Sequence, residues 1–475
     1  MTQQVDRAGR RRTVGLALIL SVQLMLILDM TVVNVALPDI RTDLGFTPSA
    51  LSWVLNAYTL TFGGLLLLGG RLGDVFGRRR TFVAGLSVFT VGSLLGGLAP
   101  TSELLVAARS LQGMGAAVAA PSVLALLTSS APDEGARNRA LGLFSAVSSA
   151  GGSIGLILGG ALTGYASWRW SLFINVPLGL VVLVLVPRFV DETARQRGRF
   201  DVAGAVTATL GSASLVFGFI NAPDHGWTSV GTIGAFALAA VLLIGFVTNE
   251  RRAASPLLDL GLLRSRMRAG AIAVMALFVG AQFAFFFFAV QFMQGVLGYG
   301  ALRSGFAFLP LTVLIFATSR VTPRLVGRFG VRPLVVTGVV LVGAANVWLA
   351  GLDTSSTYVA HLLGPMVLTG IGAGLSFMPL TVAVLAGVAP ERAGTASGLL
   401  QMTQQIGGAL GLAVLVTVYA SQHVPGGVVS GMSASYLTAA GFLLLALLLA
   451  ATLLGRRRTP TPQATARQEQ LDLAA

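Results

Sequence analysis

The two clearest charged side chains within the long apolar runs of this sequence are Asp29 and Arg109. Counted from the nearer ends of their predicted helices, at Leu37 and Glu103, both lie about 10 Å below the same membrane surface. Charged groups inside a bilayer are costly and usually indicate function. Burial favours the neutral form of an acid and a nearby arginine favours its charged form, so this pair could bind and release a proton. A purely structural ion pair is the alternative.

The elements that must hold this pair are membrane-spanning helices. Of 475 residues, 54% are hydrophobic and only 11% are charged, and the mean hydropathy is +0.81. A soluble domain carries about a quarter charged residues. The apolar runs reach about 18 residues or more without alternation, which predicts helices and not the strands of a barrel. We therefore predict an all-α polytopic membrane protein.

Fourteen stretches are long and apolar enough to cross a bilayer. We predict the spans at 14–37, 50–70, 81–99, 103–128, 138–164, 169–188, 202–222, 230–249, 269–294, 302–322, 333–352, 357–386, 393–420 and 433–455. Arginine is concentrated in alternate connecting segments, whereas the opposite set holds only Arg41, Arg169 and Arg303. Basic loops stay in the cytoplasm. We therefore expect a multi-pass protein of the cytoplasmic membrane with both termini inside the cell.

The basic charge of the chain is carried by arginine alone. The net charge is +14, with 32 basic and 18 acidic side chains, and there is no lysine. In a soluble protein this excess would suggest nucleic acid, but here it lies in short segments beside apolar runs, so the expected partner is the lipid bilayer and not nucleic acid. There are no cysteines, which excludes disulfides and cysteine-based metal sites.

The two halves of the chain resemble each other. The matching positions, in the same order in both halves, are 71–72 with 324–325, 76–77 with 329–330, 142–143 with 398–399, and 151–155 with 407–411. Duplicated halves are typical of transporters whose substrate site lies at the interface between the repeats. The repeat maps helices 1–6 onto helices 9–14 and leaves helices 7 and 8 as an inserted pair.

This repeat divides the chain into five parts. They are a cytoplasmic amino-terminal tail (1–13), an amino-terminal six-helix bundle (14–190), the inserted pair with its flanking loops (191–268), a carboxy-terminal six-helix bundle (269–455) and a disordered cytoplasmic tail (456–475).

The turn after helix 2 combines glycines with charges. Gly70 and Gly77 allow a tight turn between two helix ends. Asp74 can accept hydrogen bonds from a helix amino terminus or pair with an arginine. Arg78 and Arg79 hold the turn at the anionic inner face of the membrane. We predict that this loop gates the conformational cycle; a plain basic loop is the alternative.

Residues 70–80 closely resemble the loop signature of the major facilitator superfamily. Residues 28–38 look like the helix 1 motif of its fourteen-helix drug:proton antiporters, Arg109, Gln112, Gly113 and Gly115 look like its helix 4 motif, and residues 168–177 are similar to the start of helix 6. Together these motifs resemble the EmrB/QacA type over nearly the whole chain. The resemblance implies the major facilitator fold, with two pseudo-symmetric six-helix bundles plus two inserted helices.

A glycine ladder in helix 5 departs from the pattern of these exporters. Gly151, Gly155, Gly159 and Gly160 lie about four residues apart, which lets a neighbouring backbone approach closely. Leu156 stands where the exporters commonly have proline. We expect the ladder to pack helices; whether it also gates the cycle stays open.

Polar and aromatic residues inside the spans are candidates for a substrate cavity. Those that we assign to it are Asn34, Gln112, Gln282, Phe283, Phe287, Gln401, Gln404 and Gln405. The three glutamines of helix 13 form a polar stripe that either contacts substrate or bonds to neighbouring helices. The phenylalanines of helix 9 cover every face of it, so most of them must contact lipid or the protein core.

The resulting functional expectation is a proton-coupled exporter of hydrophobic or cationic compounds, working as a monomer, with the proton as coupling ion and no other cofactor. Asp29 and Arg109 would couple the proton. The alternative is an exporter of an endogenous metabolite, antibiotic or lipid. An enzyme is disfavoured because there is no Walker lysine and no His-rich metal motif. A channel would require a filter or a ring of charges.

Overall fold

The structure is a computed structural model that describes residues 2–129, 134–193, 201–253, 260–388, 393–422 and 428–454. The described residues form sixteen α-helices joined by short turns. The helices are α1 (Thr2–Leu44), α2 (Trp53–Phe76), α3 (Arg78–Gly97), α4 (Ser102–Ser129), α5 (Glu134–Tyr165), α6 (Trp170–Phe173), α7 (Asn175–Phe189), α8 (Val202–His225), α9 (Val230–Arg252), α10 (Arg266–Gly295), α11 (Ala301–Ala307), α12 (Leu309–Phe329), α13 (Val331–Leu349), α14 (Leu363–Leu385), α15 (Ala393–Ser421) and α16 (Val428–Leu453).

The predicted all-α membrane fold is confirmed. Thirteen helical stretches within the described residues are long and apolar enough to cross a membrane. The remaining predicted span, 138–164, corresponds to α5, a helix of 32 residues whose described apolar part runs over Ile154–Tyr165. The predicted tail 456–475 lies outside the described residues.

Several helix bounds differ from the predicted spans. The helix α1 begins at Thr2, so it includes residues 2–13, and their assignment to a cytoplasmic tail stays a prediction. Two predicted single spans are divided, at Ile174 between α6 and α7 and at Phe308 between α11 and α12. Pro310 lies at the start of α12, where a missing N–H is tolerated but the preceding helix cannot continue smoothly.

One end of the bundle carries Arg11, Arg78, Arg251 and Arg332, and we call it the arginine-rich end; the opposite end is the arginine-poor end. One apolar core extends through the carboxy-terminal half and joins the amino-terminal half at the arginine-poor end, with Leu37 of α1 in the same cluster as Met293 and Phe308. Towards the arginine-rich end, the helices from α1 to α7 enclose a separate apolar core.

Close helix contacts connect the halves along two seams. On one side, α2 packs against α15, where Leu67 touches Gly398. On the other side, α5 packs against α11, and a Cβ atom at Gly160 would lie 2.6 Å from the carbonyl oxygen of Ala301. A hydrogen bond of 2.9 Å from Gln294 Nε2 to the carbonyl oxygen of Val35 ties α10 to α1. The halves therefore meet along the α2–α15 seam on one side and through α5, α11, α10 and α1 on the other.

The inserted pair α8 and α9 covers the first of these seams. Thr417 Oγ1 of α15 donates a 2.7 Å hydrogen bond to the carbonyl oxygen of Phe219 in α8. Gly64 of α2 lies directly against Thr209 of α8. Asp224, near the end of α8, accepts a 2.5 Å hydrogen bond from Ser49 Oγ. The inserted pair thus contacts both halves at once.

Candidate functional site

Asp29 and Arg109 form an ion pair that is completely buried between α1 and α4. Arg109 Nη1 lies 2.5 Å from Asp29 Oδ2, and the two side chains are 1% and 0% exposed. The pair lies inside the amino-terminal half and not on the surface of an open cavity. Breaking a buried pair by removing one partner leaves an uncompensated charge, so the two groups depend on one another.

Both groups of the ion pair have further hydrogen-bond partners. Gln112 Nε2 and Asn175 Nδ2 donate to Asp29 Oδ1 at 3.0 and 2.9 Å. Arg109 Nε donates to the carbonyl oxygen of Val54 at 2.9 Å, and its guanidinium carbon lies 4.5 Å from the centre of the Tyr58 ring. The oxygen Oδ1 therefore faces two neutral amides and Oδ2 faces the cation, an arrangement that satisfies the ionised carboxylate.

Local features of four helices bring these groups together. Gly92 of α3 leaves room for Gln112, since a Cβ atom there would lie 2.8 Å from the Gln112 Cγ atom. Ser93 Oγ accepts a second hydrogen bond of 2.7 Å from Gln112 Nε2. The break between α6 and α7 makes Asn175 the first residue of α7, which directs its amide towards Asp29. Gln112, which the sequence assigns to the substrate cavity, thus bonds to both members of the ion pair, and its place in the cavity stays a prediction.

Two neighbours of the pair were missed by the sequence analysis. Asn175 belongs to the motif at residues 168–177. From the sequence alone, a polar residue at the start of a helix is interpreted as a helix cap, and its contact with α1 is not predicted. Tyr58 is 1% exposed, and its hydroxyl has no hydrogen-bond partner among the described residues. An aromatic residue in an apolar span predicts core packing, so the sequence contained no signal for its contact with Arg109.

The predicted cavity residues of α1 and α10 have different surroundings. Asn34 Nδ2 donates to the carbonyl oxygen of Met30 at 3.1 Å, and its Oδ1 is buried and unpartnered within the described residues. Gln282 is 5% exposed. Phe287 is fully buried and packs edge-on against Phe288, with the ring centres 5.2 Å apart. Phe283 packs against Gly408 of α15. The assignment of all four residues to the cavity stays a prediction.

The polar stripe on α15 is divided among different surroundings. Gln401 is exposed. Gln404 Nε2 lies 3.9 Å from the sulfur of Met275 in α10. Gln405 faces α2, where a Cβ atom at Gly63 would lie 2.5 Å from the Gln405 Cβ atom. The stripe therefore bridges helices of both halves at the α2–α15 seam.

The predicted gating loop is a compact charged turn between α2 and α3. Arg78 pairs with Asp74 and donates from Nη1 to the carbonyl oxygen of Gly70 at 3.2 Å. Gly77 has a φ of 101°, a conformation that favours glycine. The backbone N–H of Arg79 donates at 2.9 Å to the carboxylate of Glu192.

Glu192 is the residue of this loop that the sequence analysis missed. It follows α7, far from the loop in sequence, and also accepts from the backbone N–H of Arg80 at 3.2 Å. A carboxylate at the amino terminus of α3 stabilises the helix through its free N–H groups and its dipole. Thr193 Oγ1 accepts the N–H of Arg78 at 3.1 Å. The segment leading to the inserted pair is thus docked on the gating loop.

Comparison with known proteins decides the family. The profile of the Major Facilitator Superfamily matches residues 19–412. The chain belongs to the major facilitator superfamily.

Relatives in this superfamily align over most of their length. The chain is 40% identical to the puromycin resistance protein pur8 of Streptomyces alboniger, over 93% of this chain and 90% of that protein. It is 42% identical to the cephamycin export protein CmcT of Amycolatopsis lactamdurans, over 88% of this chain and 87% of that protein. It is 35% identical to a lincomycin resistance protein of Streptomyces lincolnensis, over 97% of this chain and 96% of that protein.

Solved structures of major facilitators show the same fold. A peptide transporter POT in complex with sulfate superposes with a TM-score of 0.69 at 14% identity, over 94% of this chain and 96% of that one. The nucleoside transporter NupG gives a TM-score of 0.66 at 13% identity, over 94% of this chain and 100% of that one. The protein is a multi-pass membrane transporter of this superfamily and not an enzyme.

The glycine ladder of this major facilitator lies where α5 meets its neighbours. Gly151 and Gly155 face α1, and a Cβ atom at Gly159 would lie 2.6 Å from the carbonyl oxygen of Val32. Gly160 faces α11 of the other half. Leu156, at the expected proline position, presents its carbonyl oxygen to Gly305. The ladder therefore packs against both halves, while its role in gating stays a prediction.

Proposed function

We propose that the protein is a secondary active multidrug exporter that moves hydrophobic or cationic compounds out of the cell in exchange for protons. The names of the relatives support the drug-export part, since pur8 is a puromycin resistance protein and CmcT is a cephamycin export protein. The observation that carries the proton-coupling part is the completely buried pair of Asp29 and Arg109.

In this proposal the proton binds at Asp29 Oδ2. Oδ1 accepts hydrogen bonds from the amides of Gln112 and Asn175, which need no change when the acid is protonated. Oδ2 faces Arg109, and a proton there is compatible with the arginine only after the two separate. Movement of Arg109 away from Oδ2 therefore favours proton binding, and its return favours proton release.

The cycle alternates access by rocking the two six-helix halves. The halves pack together at the arginine-poor end in the present state. We place the arginine-rich end in the cytoplasm, on the inner face of the cytoplasmic membrane, because basic loops are retained there. The turn containing Asp74 and Arg78 then braces the cytoplasmic side without contacting substrate. The functional unit in this proposal is a monomer.

The second candidate function is export of a compound that the cell itself makes, such as an antibiotic, a lipid or another metabolite. The match to a protein named for cephamycin export favours it. The transport physics is the same for both functions. A growth-inhibition panel against diverse toxic compounds, in cells with and without the protein, distinguishes broad drug resistance from protection against one compound.

Proton-dependent efflux of ethidium tests the proposed function. Cells that express the protein should export the dye against its gradient, and an uncoupler should abolish this export. Asp29→Asn should lose uphill export while Asp29→Glu keeps part of it, since only the latter retains a titratable group. Export that survives the uncoupler would contradict proton coupling. No export of any compound in the panel would contradict multidrug transport.

A further inference from the structure

Three arginines form a row along α12, which we call the α12 arginine ladder. Arg320, Arg324 and Arg328 are spaced four residues apart, so they lie on one face of the helix. All three are exposed. None of them has an acidic partner among the described residues. Arg320 and Arg328 only stack on Phe316 and Phe329, at 4.6 and 5.3 Å from the ring centres.

The three arginines of this ladder lie between the arginine-rich end of the protein and the middle of the membrane. The next helix, α13, has 19 residues, and at the rise of an α-helix it spans about 28 Å, close to the thickness of a bilayer core. Measured from the turn at Gly330, the three arginines lie about 3, 9 and 15 Å into this layer. An arginine at mid-membrane is strongly unfavourable unless it meets water or an anion.

The face of α12 that carries these arginines points away from its own half. The opposite face packs against α14, where Thr322 Oγ1 donates a 2.9 Å hydrogen bond to the carbonyl oxygen of Gly374. Arg320 is two residues from Thr322 and therefore lies on the other side of the helix. The exposed face continues beyond Arg320 as an apolar strip, with Phe316 39% and Val313 58% exposed.

The internal repeat indicates which seam this face adjoins. The alignment that pairs Arg71 with Arg324 also pairs Leu67 with Arg320. Leu67 contacts Gly398 at the α2–α15 seam. The repeat maps α2 onto α12 and α15 onto α5, so Arg320 belongs at the seam between α5 and α12. The inserted pair packs against α2 and α15, so it covers the first seam and not the second.

We propose that the α12 arginine ladder at the α5–α12 seam binds the headgroup of an anionic amphiphile that enters sideways from the inner leaflet. Arg328 meets the phosphate, sulfonate or carboxylate at the membrane surface, and Arg324 and Arg320 carry it inward. The tail lies along Phe316 and Val313. This site goes beyond the proposed export of hydrophobic and cationic compounds, since it would admit anions. The ligand is either an anionic phospholipid or an anionic solute of similar shape.

Native mass spectrometry of the full-length protein in neutral detergent tests the site. The protein is titrated with phosphatidylglycerol and, separately, with phosphatidylcholine that has the same acyl chains. The anionic lipid should bind at least about tenfold more tightly, and Arg320→Gln should remove about tenfold of its affinity, as expected for one charge-assisted contact. Arg320→Lys should keep most of it. Arg303→Gln, which removes an arginine from the arginine-poor end, is the matched control and should change nothing.

A second titration distinguishes the source of the ligand. Anilinonaphthalene sulfonate reports binding of an anionic solute by its fluorescence, and phosphatidylglycerol should displace it if both use the ladder. Preference for the lipid assigns the site to phospholipid, and preference for the dye assigns it to a solute; either supports the ladder if Arg320→Gln weakens it. Arg324→Gln is measured in parallel, so the result does not depend on the folding of one variant.

Equal binding of the two lipids, together with dye binding that the Arg320 and Arg324 variants leave unchanged, would overturn the proposal. The readout is binding, so it is independent of transport. Failure of the proposed exporter function would instead appear as absent ethidium efflux from cells with the unmodified protein.

Discussion

The side-chain amide of Asn175 donates a 2.9 Å hydrogen bond to Oδ1 of Asp29, across the boundary between α7 and α1. Asn175 is 1% exposed, as is Asp29. The same oxygen accepts a 3.0 Å hydrogen bond from Gln112 Nε2. Because these two donors hold Oδ1, the carboxylate keeps its position when Arg109 releases Oδ2. Asn175 is therefore a positioning residue for the proposed proton site.

Replacing Asn175 by leucine should shift the pH dependence of transport. The amide stabilises the charged carboxylate, so its removal favours the protonated acid. The pH dependence of transport should therefore move to higher pH than in the wild type. Asn346→Leu is the matched control, because Asn346 is an equally buried asparagine that bonds within α13. An unshifted profile for Asn175→Leu would remove it from the site.

Loss of Glu192 should slow turnover without weakening substrate binding. Its carboxylate accepts from the N–H groups of Arg79 and Arg80 and lies 3.8 Å from Arg79 Nε. Glu192→Gln should lower the maximal transport rate several-fold at constant KM, and Asp74→Asn should abolish transport with affinity nearly unchanged. The control is Asp191→Asn, which removes a neighbouring acid that pairs with Arg11 and is 81% exposed. A raised KM with a normal maximal rate would place the loop at the substrate site.

Two glycines of α5 should respond oppositely to the same substitution. A Cβ atom at Gly159 would lie 2.6 Å from a backbone oxygen of α1, whereas a Cβ atom at Gly152 meets nothing within 4 Å. Gly159→Ala should destabilise the protein by about 1–3 kcal/mol through overpacking. Gly152→Ala should be neutral or stabilising, since alanine favours a helix by about 1 kcal/mol over glycine. Thermal unfolding monitored by size-exclusion chromatography in detergent measures both; equal melting temperatures would contradict the helix packing described here.

Reporter fusions test the predicted orientation of the chain in the membrane. A reporter fused after Ala222 should be read outside the cytoplasm, and one fused after Gly455 should be read inside it. This follows from the concentration of arginine in alternate connecting segments. The reversed pair of signals would invert the topology.

Hydropathy and arginine placement predict most of the fold, because bilayer thickness sets the length of a span and leaves little choice of secondary structure. Counting residues from helix ends also places Asp29 and Arg109 at one depth, and they form a pair. Contacts between segments that are distant in sequence produce no comparable pattern in the sequence. Asn175 and Glu192 follow α6 and α7 in sequence, and only the packing of α7 against α1 and α3 shows which groups they bind.

The exposed Arg320 and the divided surroundings of the α15 glutamines are also not predicted from the sequence. Arg320 lies within the predicted span 302–322, and its charge is hidden when hydropathy is averaged over a window of about 19 residues. The glutamine stripe of α15 predicts one polar face. Because α15 lies between α2 and α10, adjacent glutamines meet different helices.

The central claim is that Asp29 carries the coupling proton, and proton release from the purified protein tests it most directly. Substrate is added to the detergent-solubilised protein in weakly buffered solution, and a pH-sensitive dye records the protons released. Wild-type protein should release protons when ethidium binds, because a bound cation favours the charged carboxylate. Asp29→Asn should still bind substrate but release none. Undiminished proton release from Asp29→Asn would contradict the account and move the proton site elsewhere.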